Sequence, residues 1–188
     1  VVVFHDNTLD RVCNVHGRVE DYTYEQLKSF QLCGQKEHIP LFSEVLQTVD
    51  GKVPLIIELK TGHHNRKLCE TAYRMLQNYN GEYCIESFDP FIVKWFRLNA
   101  PHLLRGQLSA SYSELRKELI GWKAFFLSSC LCNVISRPNF IAYDKRNRPF
   151  TLKLAYILGA MPVVWTVRDT DNIPLLTSKN NAVIFEFY

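Results

Sequence analysis

An α/β fold on a parallel sheet is what this sequence predicts, of the TIM (β/α)8 barrel type and incomplete at its amino terminus. Three observations carry that expectation. Short runs rich in valine, isoleucine and aromatic residues recur along the chain, separated by helical patterns of roughly 10–15 residues, the alternation of βα units. No G-x-G-x-x-G and no P-loop follows any of these runs, which disfavours a nucleotide-binding doubly wound sheet. A barrel of this type commonly takes ~250 residues. The 188 residues present fall short of that.

The elements follow in order. Val1-Val2-Val3-Phe4 reads as a buried strand that ends at His5-Asp6. Residues 15–21 read as a polar loop, and Thr23-Tyr24-Glu25-Gln26 has capping-box spacing for a short helix to about Leu32. Pro40 marks another start, with Phe42, Val45, Leu46 and Val49 on one helical face. Residues 53–60 read as a buried strand ending in Glu58 and Lys60, and residues 64–79 as a helix striped by Leu68, Ala72, Met75 and Leu76. A strand over 83–88 leads into Asp89-Pro90, an N-cap and first-turn pair for a helix to Leu98. A strand over 103–108 precedes a second capping box, Ser111 to Glu114, and a helical stretch to about Leu131. Then come a short strand over 139–143, a helix over 150–158 stopped by Gly159, a strand over 162–167, a helix over 170–178 and a last strand over 182–187.

Composition narrows the class. With 47% hydrophobic and 22% charged residues, the chain can bury a core, and it reads as one domain over 1–188. The net charge of +3 comes from scattered basic residues, which gives no argument for nucleic acid and suits a small anionic substrate weakly. Six cysteines show no C-x-x-C pair, so reduced thiols and a cytoplasmic protein are expected, with Cys130 and Cys132 as buried thiols. No apolar stretch approaches the ~20 residues of a membrane span, and no basic amphipathic or apolar surface patch is legible.

Two places carry candidate chemistry. Glu58 closes an apolar strand, where a carboxylate must be solvated, paired or bound to a cation. Lys60, two residues on and pointing to the same side, offers a plain ion pair, and Mg²⁺ or Ca²⁺ is the alternative, since both prefer carboxylate oxygen. His5 beside Asp6, taken alone, reads more readily as a satisfied strand-end histidine than as an acid/base group. His63 and His64 lie on the loop after Glu58 without paired ligand spacing, and read as solvated.

Company shifts the balance. His5-Asp6-Asn7-Thr8-Leu9-Asp10-Arg11 resembles the H-D-x-T-L-x-R signature of the glycerophosphodiester phosphodiesterase family. Ile39-Pro40-Leu41, Ile57-Glu58-Leu59-Lys60, Glu86-Ser87-Phe88-Asp89-Pro90 and Val164-Trp165-Thr166-Val167 follow in that family's order and at about its spacing. The resemblance implies a TIM barrel that hydrolyses glycerophosphodiesters to glycerol 3-phosphate and an alcohol with a bound divalent cation, Mg²⁺ or Ca²⁺. It implies His5 as the second of two acid/base histidines, Glu58 as a metal ligand, Lys60 as the cation that neutralises phosphate charge, and Trp165 at the mouth against the substrate. Ordinary barrel packing is the competing reading of Trp165.

The family's H-R-G strand and E-x-D pair do not occur here, and are expected upstream of Val1; the 188 residues by themselves are therefore expected to be inactive and poorly soluble. Val12-Cys13 replaces the family's threonines, and Arg168 stands where asparagine is frequent. A non-catalytic, barrel-derived module that binds a phosphodiester or a partner protein is the alternative from another class. A phospholipase of the same superfamily acting on intact lipid is a third reading.

Overall fold

The computed structural model describes residues 1–177 and 181–186. They form two compact units, one of residues 1–55 and 62–82, the other of residues 56–61 and the described residues from 83 onward.

The first unit is helical and irregular. Its helices are α1 (Asp10–Cys13), α2 (Tyr24–Ser29), α3 (Phe42–Val49) and α4 (Asn65–Leu76), with a 3-10 turn at Val19–Asp21. Leu9, Leu27 and Ile39 form a buried cluster onto which Val2, Phe4, Tyr22 and Phe30 pack. The Thr23 box closes as expected: Gln26 N–H donates to Thr23 Oγ1 at 3.4 Å, and Thr23 N–H to Gln26 Oε1 at 2.9 Å. At α3 the Glu44 carboxylate accepts from Leu41 N–H at 2.7 Å, and Phe42 and Leu46 are buried. α4 buries Cys69, Ala72 and Leu76, as its stripe requires.

The opening run corrects the expectation of a buried strand. Val1 and Val3 are 39% and 40% exposed, and the segment makes only an isolated antiparallel bridge, Val2 to Leu41. Val3 N–H donates to Pro40 O and Phe42 N–H to Val1 O, after which the pairing stops. Pro40 has no N–H to offer a longer ladder, so alternate residues face solvent.

The second unit carries the sheet. β1 (Leu55–Glu58), β2 (Tyr83–Ser87), β3 (Arg105–Ser109), β4 (Phe140–Asp144), β5 (Met161–Val167) and β6 (Ala182–Phe185) lie in sequential order. Pairing is parallel from β2 through β6, with a register irregularity between Val164 and Val167. Between strands run α5 (Pro90–Asn99), α6 (Tyr112–Leu115), α7 (Gly121–Ser128), α8 (Asn133–Ser136), α9 (Phe150–Ile157) and α10 (Ile173–Thr177). β3 and β4 are buried at every position, as befits central parallel strands covered on both faces. β1 is an outer strand of this sheet: Ile56 is 56% exposed, so its apolar run is not the fully buried one expected.

Local signals near helix starts divide. Asp89 accepts from Phe91 N–H at 2.8 Å with Pro90 in the first turn, as its spacing implies. The Ser111 box does not form. Ser111 Oγ meets Ser113 Oγ at 3.1 Å, and the Glu114 carboxylate takes Lys117 at 2.9 Å. The helix expected to continue to Leu131 is broken into α6 and α7, with Arg116 donating to Leu119 O at 2.7 Å in the turn between them. α7 also leaves Trp122, Phe125 and Phe126 exposed, an apolar patch that the sequence did not show. Ser178 and Phe187, expected to end the last helix and strand, lie outside the described residues.

One close approach governs the middle of the sheet. Gly106 on β3 stands opposite Phe140 on β4, and a Cβ built there would meet the Phe140 ring at 2.0 Å. Gly106→Ala should therefore lower stability by about 1–3 kcal/mol through overpacking. Gly106→Ala combined with Phe140→Leu should recover part of that loss in urea denaturation. Equal midpoints for wild type and Gly106→Ala would refute the claim.

Candidate functional site

Each unit contributes candidate groups. In the first, residues 5–11 carry a polar cluster. Leu9, fully buried, pins the segment, and Leu9 N–H donates to Gly17 O at 2.9 Å. Around it, Asp6 is the hub: Arg11 Nε donates to Oδ2 at 2.7 Å and Nη2 to Oδ1 at 2.8 Å, a two-pronged grip. His5 Nδ1 lies 2.7 Å from Asp6 Oδ1, and the His5 side chain is 82% exposed.

Arg11, then His5, holds the Asp6 carboxyl down at about 2 against the opposing effect of burial. An ionised carboxylate only accepts, so Nδ1 of His5 must carry the hydrogen of that bond. Nε2 is then the nitrogen left to exchange a proton with a ligand. His63, by contrast, donates its backbone N–H to Glu20 at 2.7 Å with an exposed ring, and His64 is exposed, as expected of solvated loop residues.

In the second unit the candidates stand where strands β1 and β2 end. Glu58 is the last residue of β1, and Lys60 Nζ donates to its Oε2 at 2.7 Å with both side chains partly buried. Leu59 N–H donates to Glu86 O at 2.9 Å, and Ser87 Oγ to Leu59 O at 2.6 Å, so the two strands are tied at this level. Gln107 on β3, fully buried, adds bonds from Nε2 to Ser87 O at 3.1 Å and Phe88 O at 3.0 Å. The strand ends are thus held by side chains as well as by the ladder. Trp165 donates its indole N–H to Ala142 O at 2.8 Å and meets Phe88 edge-on at 5.8 Å. Its ring borders two core clusters, so packing accounts for much of it and only its remaining surface can face a substrate.

Sequence reasoning passed over Glu86. It is 6% exposed on β2, and its Oε2 has no hydrogen-bond partner. Burial pushes its carboxyl up to about 7, Glu58 adds to the rise, and Lys60 works against it. The signal was there: a carboxylate inside Tyr83-Cys84-Ile85-Glu86 is the same anomaly that singled out Glu58. Among the described residues, no group of three or more His, Cys, Asp or Glu side chains could hold a metal ion by itself. All six cysteines are thiols, and burial raises Cys130 and Cys132 to about 12, which leaves them inert as nucleophiles. No helix among the described residues is long and apolar enough to cross a membrane.

The Asp6 cluster predicts a pH dependence. A carboxylate whose folded-state pKa is depressed stabilises the fold above its unfolded value of ~3.9, and the gain is lost as pH falls towards 2. Asp6→Asn should lower stability by about 1 kcal/mol at pH 7, allowing for solvent screening. The deficit should vanish near pH 2 in denaturation measured across that range. An offset independent of pH would show that the charge does no such work.

A glycerophosphodiester phosphodiesterase of Caldanaerobacter subterraneus subsp. tengcongensis is 34% identical over 118 residues, which are 57% of this chain and 49% of that protein. The chain therefore spans about half the length of this curated relative. An Oleispira antarctica phosphodiesterase, solved with its product sn-glycerol-3-phosphate, superposes with a TM-score of 0.76 at 16% identity, covering 98% of this chain and 74% of the other. A glycerophosphodiester phosphodiesterase of Agrobacterium tumefaciens gives 0.65 at 16% identity, with 98% and 77% covered. At these identities the likeness is one of fold, and it agrees with the expected (β/α)8-type barrel, incomplete in this chain. The model of the glycerophosphoryl diester phosphodiesterase family matches residues 1–187, and the chain belongs to that family.

Proposed function

We propose that this chain is part of a metal-dependent enzyme that hydrolyses glycerophosphodiesters to glycerol 3-phosphate and an alcohol. The observation that carries the reading is the hydrogen bond between His5 Nδ1 and an Asp6 carboxylate that Arg11 keeps ionised. It leaves His5 with Nε2 presented outward on a largely exposed side chain, the state a general acid or base needs. In the reaction, water oxygen bonds to phosphorus, the bond from phosphorus to the alcohol oxygen breaks, and the departing oxygen takes up a proton. His5 gives that proton to the leaving oxygen or removes one from the attacking water.

Glu58 and Lys60 have the complementary task. Lys60 is a mobile point charge that can exchange its bond to Glu58 for a phosphoryl oxygen. Glu58 would hold the divalent cation, Mg²⁺ or Ca²⁺, which when bound offsets negative charge on the phosphoryl oxygens. The residues fit such an ion: the donors are carboxylate oxygens only, and one buried carboxylate oxygen beside Glu58, on Glu86, lacks any partner. Trp165 offers an apolar surface to the glycerol or alcohol group. A cytoplasmic setting agrees with six cysteines kept as thiols.

The test uses the gene product that contains this chain, as encoded. With Mg²⁺ or Ca²⁺ it should release glycerol 3-phosphate from glycerophosphocholine, and a chelator should stop the release. His5→Ala and Glu58→Ala should each cut the rate about 10²-fold or more. No release, or release indifferent to both substitutions, would overturn the proposal and favour a binding module.

A further inference from the structure

The hydrogen bonds at the ends of β1 and β2 give the Glu86 carboxylate no structural task. Its side chain lies on β2, one strand from Glu58, and Leu59 N–H to Glu86 O sets Glu58, one residue earlier, alongside it. Lys60, the nearby cation, is occupied by Glu58 Oε2 at 2.7 Å. Glu86 Oε2 is out of water and accepts no hydrogen bond. A purely structural residue at such a place would be apolar, or paired, because a buried carboxylate without a partner destabilises the fold.

We propose that Glu86 is a second carboxylate ligand of the divalent cation assigned to Glu58, so that the ion is shared between the ends of β1 and β2. The inference rests on the reading of Glu58 as a cation ligand. Two carboxylates with a phosphate group as the remaining anionic ligand is a donor set that Mg²⁺ accepts, and Ca²⁺ tolerates with added waters. Burial argues the same way: Glu86 is 6% exposed and its Oε2 accepts no hydrogen bond, and a dication bound between the two carboxylates would supply the missing partner. The ties from Ser87 to Leu59 and from Gln107 to Ser87 would keep the ligand spacing fixed before the ion arrives.

The experiment measures binding rather than turnover. Wild type, Glu86→Gln and Glu58→Gln of the gene product would be titrated with Ca²⁺ and Mg²⁺ by calorimetry. Tb³⁺ luminescence decay in H₂O and D₂O would count the waters on the bound ion. Glu86→Gln should bind about tenfold or more weakly, and Tb³⁺ should gain about one water where a carboxylate oxygen is lost. Glu86→Asp, which keeps the charge but shortens the reach, should shift both readouts in the same direction, and it serves if the glutamine variant does not fold. Unchanged affinity and water count in Glu86→Gln, with loss of binding in Glu58→Gln, would refute the part given to Glu86 and leave Glu58 standing. Loss in Glu86→Gln alone would overturn the shared site, and a wild type that binds no cation would sink both readings.

Discussion

The parallel ladder through β2 and β3 is the constraint on which the second unit depends. Ile85, Glu86 and Ser87 pair with Arg105, Gly106 and Gln107, and that register decides which side chain faces which layer. A shift of one residue would send every side chain to the opposite face. Phe140 fills the space that Gly106 leaves vacant, so the next strand, β4, fits only in this alignment. Ser87 Oγ and Gln107 Nε2 then convert the strand ends from frayed backbone into a braced edge. Glu58, Lys60 and Glu86 hold their places because of that bracing.

The first unit solves a similar problem by a local route. His5, Asp6 and Arg11 lie within seven residues, and the buried Leu9 between them acts as the anchor. Because Asp6 serves both partners, its negative charge is what orders the cluster, and Arg11 is what keeps that charge in place. This is a short-range arrangement, and the segment needs no strand to present it. Val1–Phe4 can therefore be a bridged extended segment without disturbing His5.

The charges of the second unit are of a different kind. Two carboxyl groups lie on neighbouring strands with one lysine bonded to Glu58, and burial works against ionising Glu86. Structural ion pairs are usually arranged to cancel; here two carboxyl groups share one lysine. The charges at the end of β4 are balanced. Asp144, at the end of β4, is gripped twice by Arg146, and Lys145 is paired with Asp171.

Much of this could be read from sequence because it depends on neighbours a few residues apart. The Thr23 box, the Asp89-Pro90 start, the stripe of α4 and the His5-to-Arg11 cluster are all short-range, and the βα alternation alone was enough to indicate the parallel sheet. The rest was decided by other partners, some close in sequence and some remote. Ser111 and Glu114 had the spacing of a cap but found Ser113 and Lys117 instead, and α6 stopped early. Trp165, which the sequence left between the mouth and ordinary packing, has its indole N–H fixed by Ala142, more than twenty residues away. The burial of Glu86, and its standing beside Glu58 with an oxygen unanswered, follow from β1 meeting β2 across a whole intervening helix. Local spacing determined which groups this protein carries; only packing between remote strands decided which of them are deprived of water and of partners, since solvent exclusion is a property of the assembled sheet and not of any one segment.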